Sequence, residues 1–507
     1  MQNEKQLIQR DKLLENVFAE TNEDFILPDY MPEVRRVLRL ETRLLRGEKF
    51  VGGGKAEFDG TVLYTLFYTD SEEKLTAVPL ESRYEYRVAL DAETTGLIYS
   101  DESLESVNLR PSGPRRVNIR ARIRAAMHEV REEEAGASLA ILAEEDCSCL
   151  WRAGKVLRTV RLTGDGFEAS AERMLESDGE EIRPLYASAE VLVESAQARD
   201  GHIHCRGTVF IRALAEKGTE VHTLTSRVPF EEELVASECA EGDAVTARGV
   251  CSRVELEVEE DGGRSLLHAT AFCSLSAEAR RNEDISVLTD LYSTEKELRL
   301  AYSPCHTESL RESFSGNFTV EADTAAREGE KCILSSVSVR DTAVQIMGEK
   351  AALTGECRAE LLCQSEGEGF YAEDFTFPFR IEIPLSAKAK DTDATALSVT
   401  PLFTEVTSQG GQRHLSAEMA VCFYTLRPTT VTVPVTLEGE SERQRENGQC
   451  VTVYYPTDED SLWSVGKRYG IRTEELKKQN GILTDEDTAL DDTKTLDGIS
   501  WLFVSRL

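Results

Sequence analysis

Four groupings of residues have the types that chemistry uses. Gly52-Gly53-Gly54-Lys55 looks like part of a phosphate-binding loop, whose backbone N–H groups cradle phosphate while the lysine meets its charge. That loop also needs glycine at position 49 and Ser or Thr at position 56, where Lys49 and Ala56 stand. The run therefore reads as a turn feeding a strand. His202-x-His204 would set two imidazoles on one strand face, a spacing able to share a metal. No third ligand lies near in sequence, and Asp200-Gly201 marks a turn, so both histidines read as solvent-facing. The 12 cysteines contain no CxxC pair, and most of them read as reduced core residues. The fourth grouping is a stripe, Arg120, Arg122 and Arg124, with Arg115 and Arg116 upstream. It would suit an acidic partner, or it pairs across a sheet with glutamates. No catalytic residue, metal site or cofactor is assigned.

The elements that position these residues belong to a chain of 507 residues, enough for roughly three to five domains. At 40% hydrophobic and 30% charged residues it can bury cores. A net charge of −34 repels phosphate backbones and anionic headgroups, which argues against nucleic-acid partners. The N-terminus, MQNEKQLIQRDKLLENVFAE, has no apolar run of signal-peptide type, and nowhere does an apolar run approach the ~20 residues of a membrane span. A cytoplasmic protein without membrane insertion is expected.

Self-similarity organises the chain. Gly60-Thr61-Val62-Leu63, Gly207-Thr208-Val209-Phe210 and Gly355-Glu356-Cys357 open alternating strands 147 and 148 residues apart. One strand later, Ser82–Tyr86, Ser226–Phe230 and Thr376–Phe379 correspond. Further on, Gly113, Gly262-Gly263 and Gly410-Gly411 each precede a strand, and Cys273 and Cys422 hold equivalent places 149 residues apart. Strand signals dominate each copy, as in Val117–Ile123, Val254–Val258 and Arg380–Ile383. The expected fold is mainly β: three diverged repeats, each sandwich-like or barrel-like, at 46–160, 161–300 and 301–440. Together they would form an elongated acidic body. A helical segment at 1–45 leads in, with helices expected near Lys5–Ala19 and Pro32–Leu40, and another near Ile285–Tyr292.

The pattern changes near Asn447, and a small βααβ module is expected at 451–507. Val451–Tyr454 reads as a strand, and Asp460–Val465 starts a helix that Tyr469-Gly470 ends. Trp463 and Tyr469 keep helical spacing with Leu462 and Val465 and read as core. Thr473 caps a second helix, Glu474–Gln479, which Asn480-Gly481 closes in the left-handed region. Ser500–Val504 is the last strand.

This run resembles a LysM domain: V-x-V, then D-S-L-W-S-V-x-K-R-Y-G, E-E-L-K-K-x-N-G, and L-x-G-x-x-x-L-F-V. The resemblance implies binding of peptidoglycan N-acetylglucosamine in a groove between two loops, here Thr457–Leu462 and Asn480–Leu483. Its exposed candidates are Asp458, Glu459, Asp460 and Ser461, with Asn480, Gly481 and Ile482 opposite. The usual loop glycine is replaced by Glu459, and the segment Thr484–Asp492 is crowded with Asp and Glu, which suits a protein ligand better than a sugar. Over nearly the whole chain, Ile26–Val34 and Ser286–Thr294 together with the repeats resemble the SPOCS (DUF3794) domain of spore-forming bacteria. Repeated SPOCS copies with a C-terminal LysM are similar to SipL-type spore coat morphogenetic proteins. That resemblance implies a non-enzymatic scaffold on the mother-cell side of the forespore, in the spore coat. Its implied partner is the SpoIVA-like coat basement-layer ATPase, reached partly through the LysM. A peptidoglycan-binding protein is the alternative.

Overall fold

The computed structural model describes residues 7–91, 94–134, 146–176, 181–218, 220–261, 264–385, 394–443, 451–482, 492–496 and 499–505. Alternating side chains make nearly all of it strand. The first block holds β1 (Leu7–Ile26), β2 (Arg36–Gly52), β3 (Lys55–Thr69), β4 (Leu75–Ala89), β5 (Leu97–Gly113) and β6 (Arg116–Glu134). The second holds β7 (Cys147–Glu176), β8 (Ile182–Arg199), β9 (His202–Lys217), β10 (Glu220–Val235), β11 (Ala244–Asp261) and β12 (Arg264–Ser293). The third holds β13 (Lys296–Ala325), β14 (Lys331–Met347), β15 (Lys350–Ser365), β16 (Gly369–Pro384), β17 (Ala394–Gln409) and β18 (Gln412–Glu442).

Each block contains two three-stranded antiparallel sheets. The orders are β1-β6-β5 with β2-β3-β4, then β7-β12-β11 with β8-β9-β10, then β13-β18-β17 with β14-β15-β16. The two sheets of a block bury their inner faces in one core. In the first block Ile119, Ile123 and Met127 of β6 share that core with Val62, Tyr64 and Leu66 of β3. The glycines that set the spacing lie mid-strand in β3, β9 and β15, opposite Tyr84, Phe230 and Phe379. A Cβ at Gly60, Gly207 or Gly355 would collide with that facing ring, so the ring folds over bare backbone. Gly53 and Gly54, at φ 61° and 75°, make the two-residue β2–β3 hairpin that the turn reading expects. Gly410 and Gly411 do the same between β17 and β18, while Gly262-Gly263 lies outside the described residues.

Several expectations are corrected. Lys5–Ala19 forms no helix in its described part: it is β1, laid antiparallel on β6 from Leu7↔Glu134 to Ile26↔Arg116. An amphipathic run takes whichever period its partner imposes, and the β6 edge imposes two. Pro32–Leu40 is irregular up to Arg35 and then enters β2, and Ile285–Tyr292 continues β12. The boundaries at 45/46, 160/161 and 300/301 fall inside β2, β7 and β13, because the first strand of each block closes onto its last.

The body is not a linear string either. Phe67, Leu75 and Ala77 of the first block, Leu214 and Val221 of the second, and Ile333, Leu334, Leu362 and Phe370 of the third form one shared cluster. Arginines lock this junction through backbone carbonyls. Arg39 reaches Glu360 O at 3.0 Å, Arg43 reaches Cys251 O at 3.1 Å, and Arg212 reaches Ser335 O at 2.9 Å.

Strands β7, β12, β13 and β18 overrun their sheets. Beyond the pairing of β11, β12 continues against β7 to Ser293↔Cys147, and β13 runs against β18 to Lys296↔Glu442. Leu288, Leu291, Leu298, Leu300 and Leu437 pack these two ribbons together. The chain ends in β19 (Val451–Tyr454), α1 (Leu462–Tyr469), α2 (Thr473–Gln479) and β20 (Leu502–Ser505). Neither helix is long and apolar enough to cross a membrane, nor is any other described helix.

Candidate functional site

The two loops expected to carry binding residues are built largely for internal support. Asp460 is buried, and its Oδ2 accepts from Tyr454 OH at 2.6 Å and from the N–H and hydroxyl of Thr457, both at 2.8 Å. Donation from Tyr454 outweighs the opposing effect of burial, and with Thr457 and Arg468 it holds the carboxyl at about 2. Asp460 therefore pins the loop rather than facing a ligand. Ser461 is the α1 N-cap in a reciprocal box with Ser464, at 3.1 and 2.9 Å. The acids left exposed at this tip are Asp458 and Glu459.

On the other side, Asn480 is spent on the backbone. Its amide donates to Leu476 O and Phe503 O, each at 2.8 Å, and accepts from Phe503 N at 2.6 Å. Gly481 carries the left-handed turn at φ 62°, whereas Asn480 sits at φ −102°. Ile482 packs against the module core. The α2 N-cap is Arg472, not Thr473, which is buried in the first turn. Leu483 and Thr484–Asp491 lie outside the described residues; Asp492 pairs with Lys477 at 2.6 Å. Replacing Asn480 by Ala strands two β20 backbone groups, so module stability should fall by about 1–3 kcal/mol. Faster hydrogen exchange at the Phe503 amide is the readout.

The residues sequence reasoning missed are those that seat this module on the body. Trp463 is buried as expected, but its indole Nε1 donates to Asp290 Oδ2 of β12 at 2.8 Å. Lys467 Nζ meets both Asp290 oxygens at 2.7 and 2.8 Å, and Tyr302 OH donates to Oδ1 at 2.6 Å. Tyr292 stands edge-on to Trp463 with centroids 4.9 Å apart, and its hydroxyl donates to Ile471 O at 2.7 Å. Gly466 allows this approach, since a Cβ there would lie 2.7 Å from the Tyr292 hydroxyl. Arg443 donates to Lys467 O at 2.8 Å and Arg468 O at 3.1 Å, meeting the negative end of α1. Asp290 and Tyr292 lie within Ser286–Thr294, one of the segments that carry the family resemblance. A tryptophan–acid contact across 173 residues leaves no periodic signal.

The arginine stripe pairs across its sheet. Arg120 meets Glu20 at 2.6 Å, and Arg122 meets Glu105 at 2.9 Å while lying 4.3 Å over the Phe18 ring. Arg124 donates to Asn16 Oδ1 at 3.1 Å. Its charge is thus largely answered by β1 and β5. His204 pairs with Glu233 at 2.9 Å, and His202 is exposed beside Asp200 O. A cavity of about 1470 Å³ opens at the three-block junction, lined by Arg39, Glu41, Arg43, Glu190, Arg212 and Glu360 among others. Its lining arginines Arg39, Arg43 and Arg212 are the ones that bond carbonyls of the neighbouring blocks, which makes it part of the locking of the blocks.

Comparison of the chain with protein-family models, with curated proteins and with solved structures finds no match.

Proposed function

We propose that the chain is a non-enzymatic interaction scaffold of the spore coat. In this reading the three six-strand blocks are diverged SPOCS-like copies of the SipL type, and the terminal βααβ module is a LysM domain. The scaffold docks to the SpoIVA-like coat ATPase on the mother-cell side of the forespore, partly through that module. The observation that carries the reading is the recurrence of one strand order in every block, first–sixth–fifth with second–third–fourth, followed by β19-α1-α2-β20. Protein docking is favoured over sugar binding because Asp460, Ser461 and Asn480 spend their polar groups inside the module. A groove that binds sugar hydroxyls needs such groups free.

The full chain is the right reagent, since the module rests on the body through Asp290. Its binding to the same organism's purified coat ATPase and to purified peptidoglycan is measured side by side. Saturable ATPase binding without peptidoglycan binding is the expected result. Peptidoglycan binding alone would replace the scaffold by a wall-directed lectin.

A further inference from the structure

Two pairs of cysteines face each other across a strand ladder. Cys251 of β11 lies opposite Cys273 of β12, and Cys332 of β14 lies opposite Cys363 of β15. Every other described strand cysteine faces a residue of another type. In both pairs the ladder bulges by one residue directly after the first cysteine, at Ser252 and at Ile333. The Cys251 thiol donates to Arg253 O at 3.2 Å, and the Cys332 thiol donates to Leu334 O at 3.6 Å. Each of these thiols also accepts a hydrogen bond from the cysteine opposite. The pairs lie on the fifth and sixth strands of the second block but on the second and third strands of the third, so the repeat does not account for the recurrence.

An arginine from the preceding block stands at each bulge. Arg43 donates to Cys251 O at 3.1 Å, and Arg212 donates to Ser335 O, just past Cys332, at 2.9 Å. Donation from Cys273 and the Arg43 charge outweigh burial and draw the Cys251 thiol below its ordinary range. Cys363 and Arg212 do the same for Cys332. Ser252, Arg253, Leu334 and Ser335 line the junction cavity, which gives water-sized solutes a route to both bulges. Among the described residues no cluster of three His, Cys, Asp or Glu groups forms, so neither pair is part of a built metal site.

We propose that Cys251–Cys273 and Cys332–Cys363 are oxidation sites, each closing to a cross-strand disulfide when the chain meets hydrogen peroxide. Directly opposite residues of an antiparallel ladder have Cα atoms about 4.5–5.5 Å apart, within the span a disulfide bridges. Cys251 or Cys332, beside its arginine, attacks one peroxide oxygen as the thiolate. The O–O bond breaks, water leaves, and a sulfenic acid remains on that sulfur. The facing sulfur of Cys273 or Cys363 then attacks it, the S–O bond breaks, and a second water carries off the oxygen. The two sulfurs lose two electrons and two protons, and peroxide takes up both. Each closed pair fixes a bulge on which an arginine of the preceding block rests, so oxidation tightens the junction of the blocks.

The reduced full chain is exposed to hydrogen peroxide, quenched with excess N-ethylmaleimide and digested without reductant for peptide mass mapping. The peptides of Cys251 and Cys273 should appear joined, as should those of Cys332 and Cys363, each joined pair lighter by two hydrogens. Joining should run about tenfold or more ahead of oxidation at Cys205 and Cys357, which are buried without a facing thiol. In Cys273→Ser and Cys363→Ser the remaining cysteine should stop at the sulfenic acid, which dimedone captures. The wild-type map decides the matter even where a variant misfolds, and each pair is judged by its own link. Absence of the joined peptides, or joining of other cysteines in equal yield, would overturn the inference.

Discussion

Replacing Arg413 by Met should lower the stability of the third block by about 3–5 kcal/mol, the loss expected when one partner of a buried ion pair is deleted. Arg413 opens β18 and forks onto Glu330, with Nε to Oε1 at 2.8 Å and Nη2 to Oε2 at 2.6 Å. Their side chains are 1% and 0% exposed. Ser408 Oγ at 2.9 Å, the Arg327 N–H at 3.2 Å and the Tyr371 hydroxyl complete the shell around Glu330. Methionine fills the volume but leaves an anion buried without its counter-charge. Adding Glu330→Met to Arg413→Met should recover much of the loss, since the unpaired carboxylate is then gone. Urea unfolding of both variants beside wild type decides this. Equal stability of Arg413→Met and wild type would refute it.

The same pair sets an acid limit. Burial pushes the Glu330 carboxyl up, but donation from Arg413, Tyr371, Arg327 and Ser408 outweighs it and holds the group at about 2. An unfolded glutamate titrates near about 4.3. The folded value is the lower one, so this contribution is complete above the unfolded value. It is lost as pH falls from about 5 through about 2. Wild-type stability should drop in that window, and the doubly substituted chain should lose this part of the drop.

Replacing Asp290 by Ala should release the C-terminal module from the ribbons. One carboxylate there accepts from Trp463, Lys467 and Tyr302. Hydrogen bonds to a charged group are worth about 1.5–3 kcal/mol each, and partial exposure of Lys467 lowers its share. A docking loss of about 2–4 kcal/mol follows, at least a tenfold shift toward the undocked arrangement. The Trp463 indole N–H is a direct reporter: its NMR signal should move toward a solvent-exposed position, with those of Trp151 and Trp501 as internal references. Burial raises the Asp290 carboxyl, yet its three donors outweigh that and hold it below the ordinary aspartate range. Docking should thus persist through mildly acidic pH and fail only below that range. An Asp290→Ala chain whose Trp463 signal stays in place would show that Tyr292 and Arg443 suffice.

What the sequence determined by itself was local. Alternation in Val117–Ile123 marked a strand because a pleat turns every second side chain inward. Glycines at 60, 207 and 355 gave the period of the chain but were read as strand openings, and only the structure set them mid-strand beneath a facing ring. Capping and turn chemistry placed α1 and the Gly53-Gly54 hairpin within a residue or two. Only the tertiary structure decided partners. The N-terminal run looked helical until β6 supplied an edge, and the arginine stripe stood open between an acidic partner and glutamates across the sheet until β1 and β5 supplied the acids. Asp460 and Asn480 read as exposed loop polars, and became supports once Thr457 and β20 closed around them. Spacing along a chain reports which way a side chain points. What stands opposite it is brought there by pairing across a hundred residues or more, and no local pattern records that.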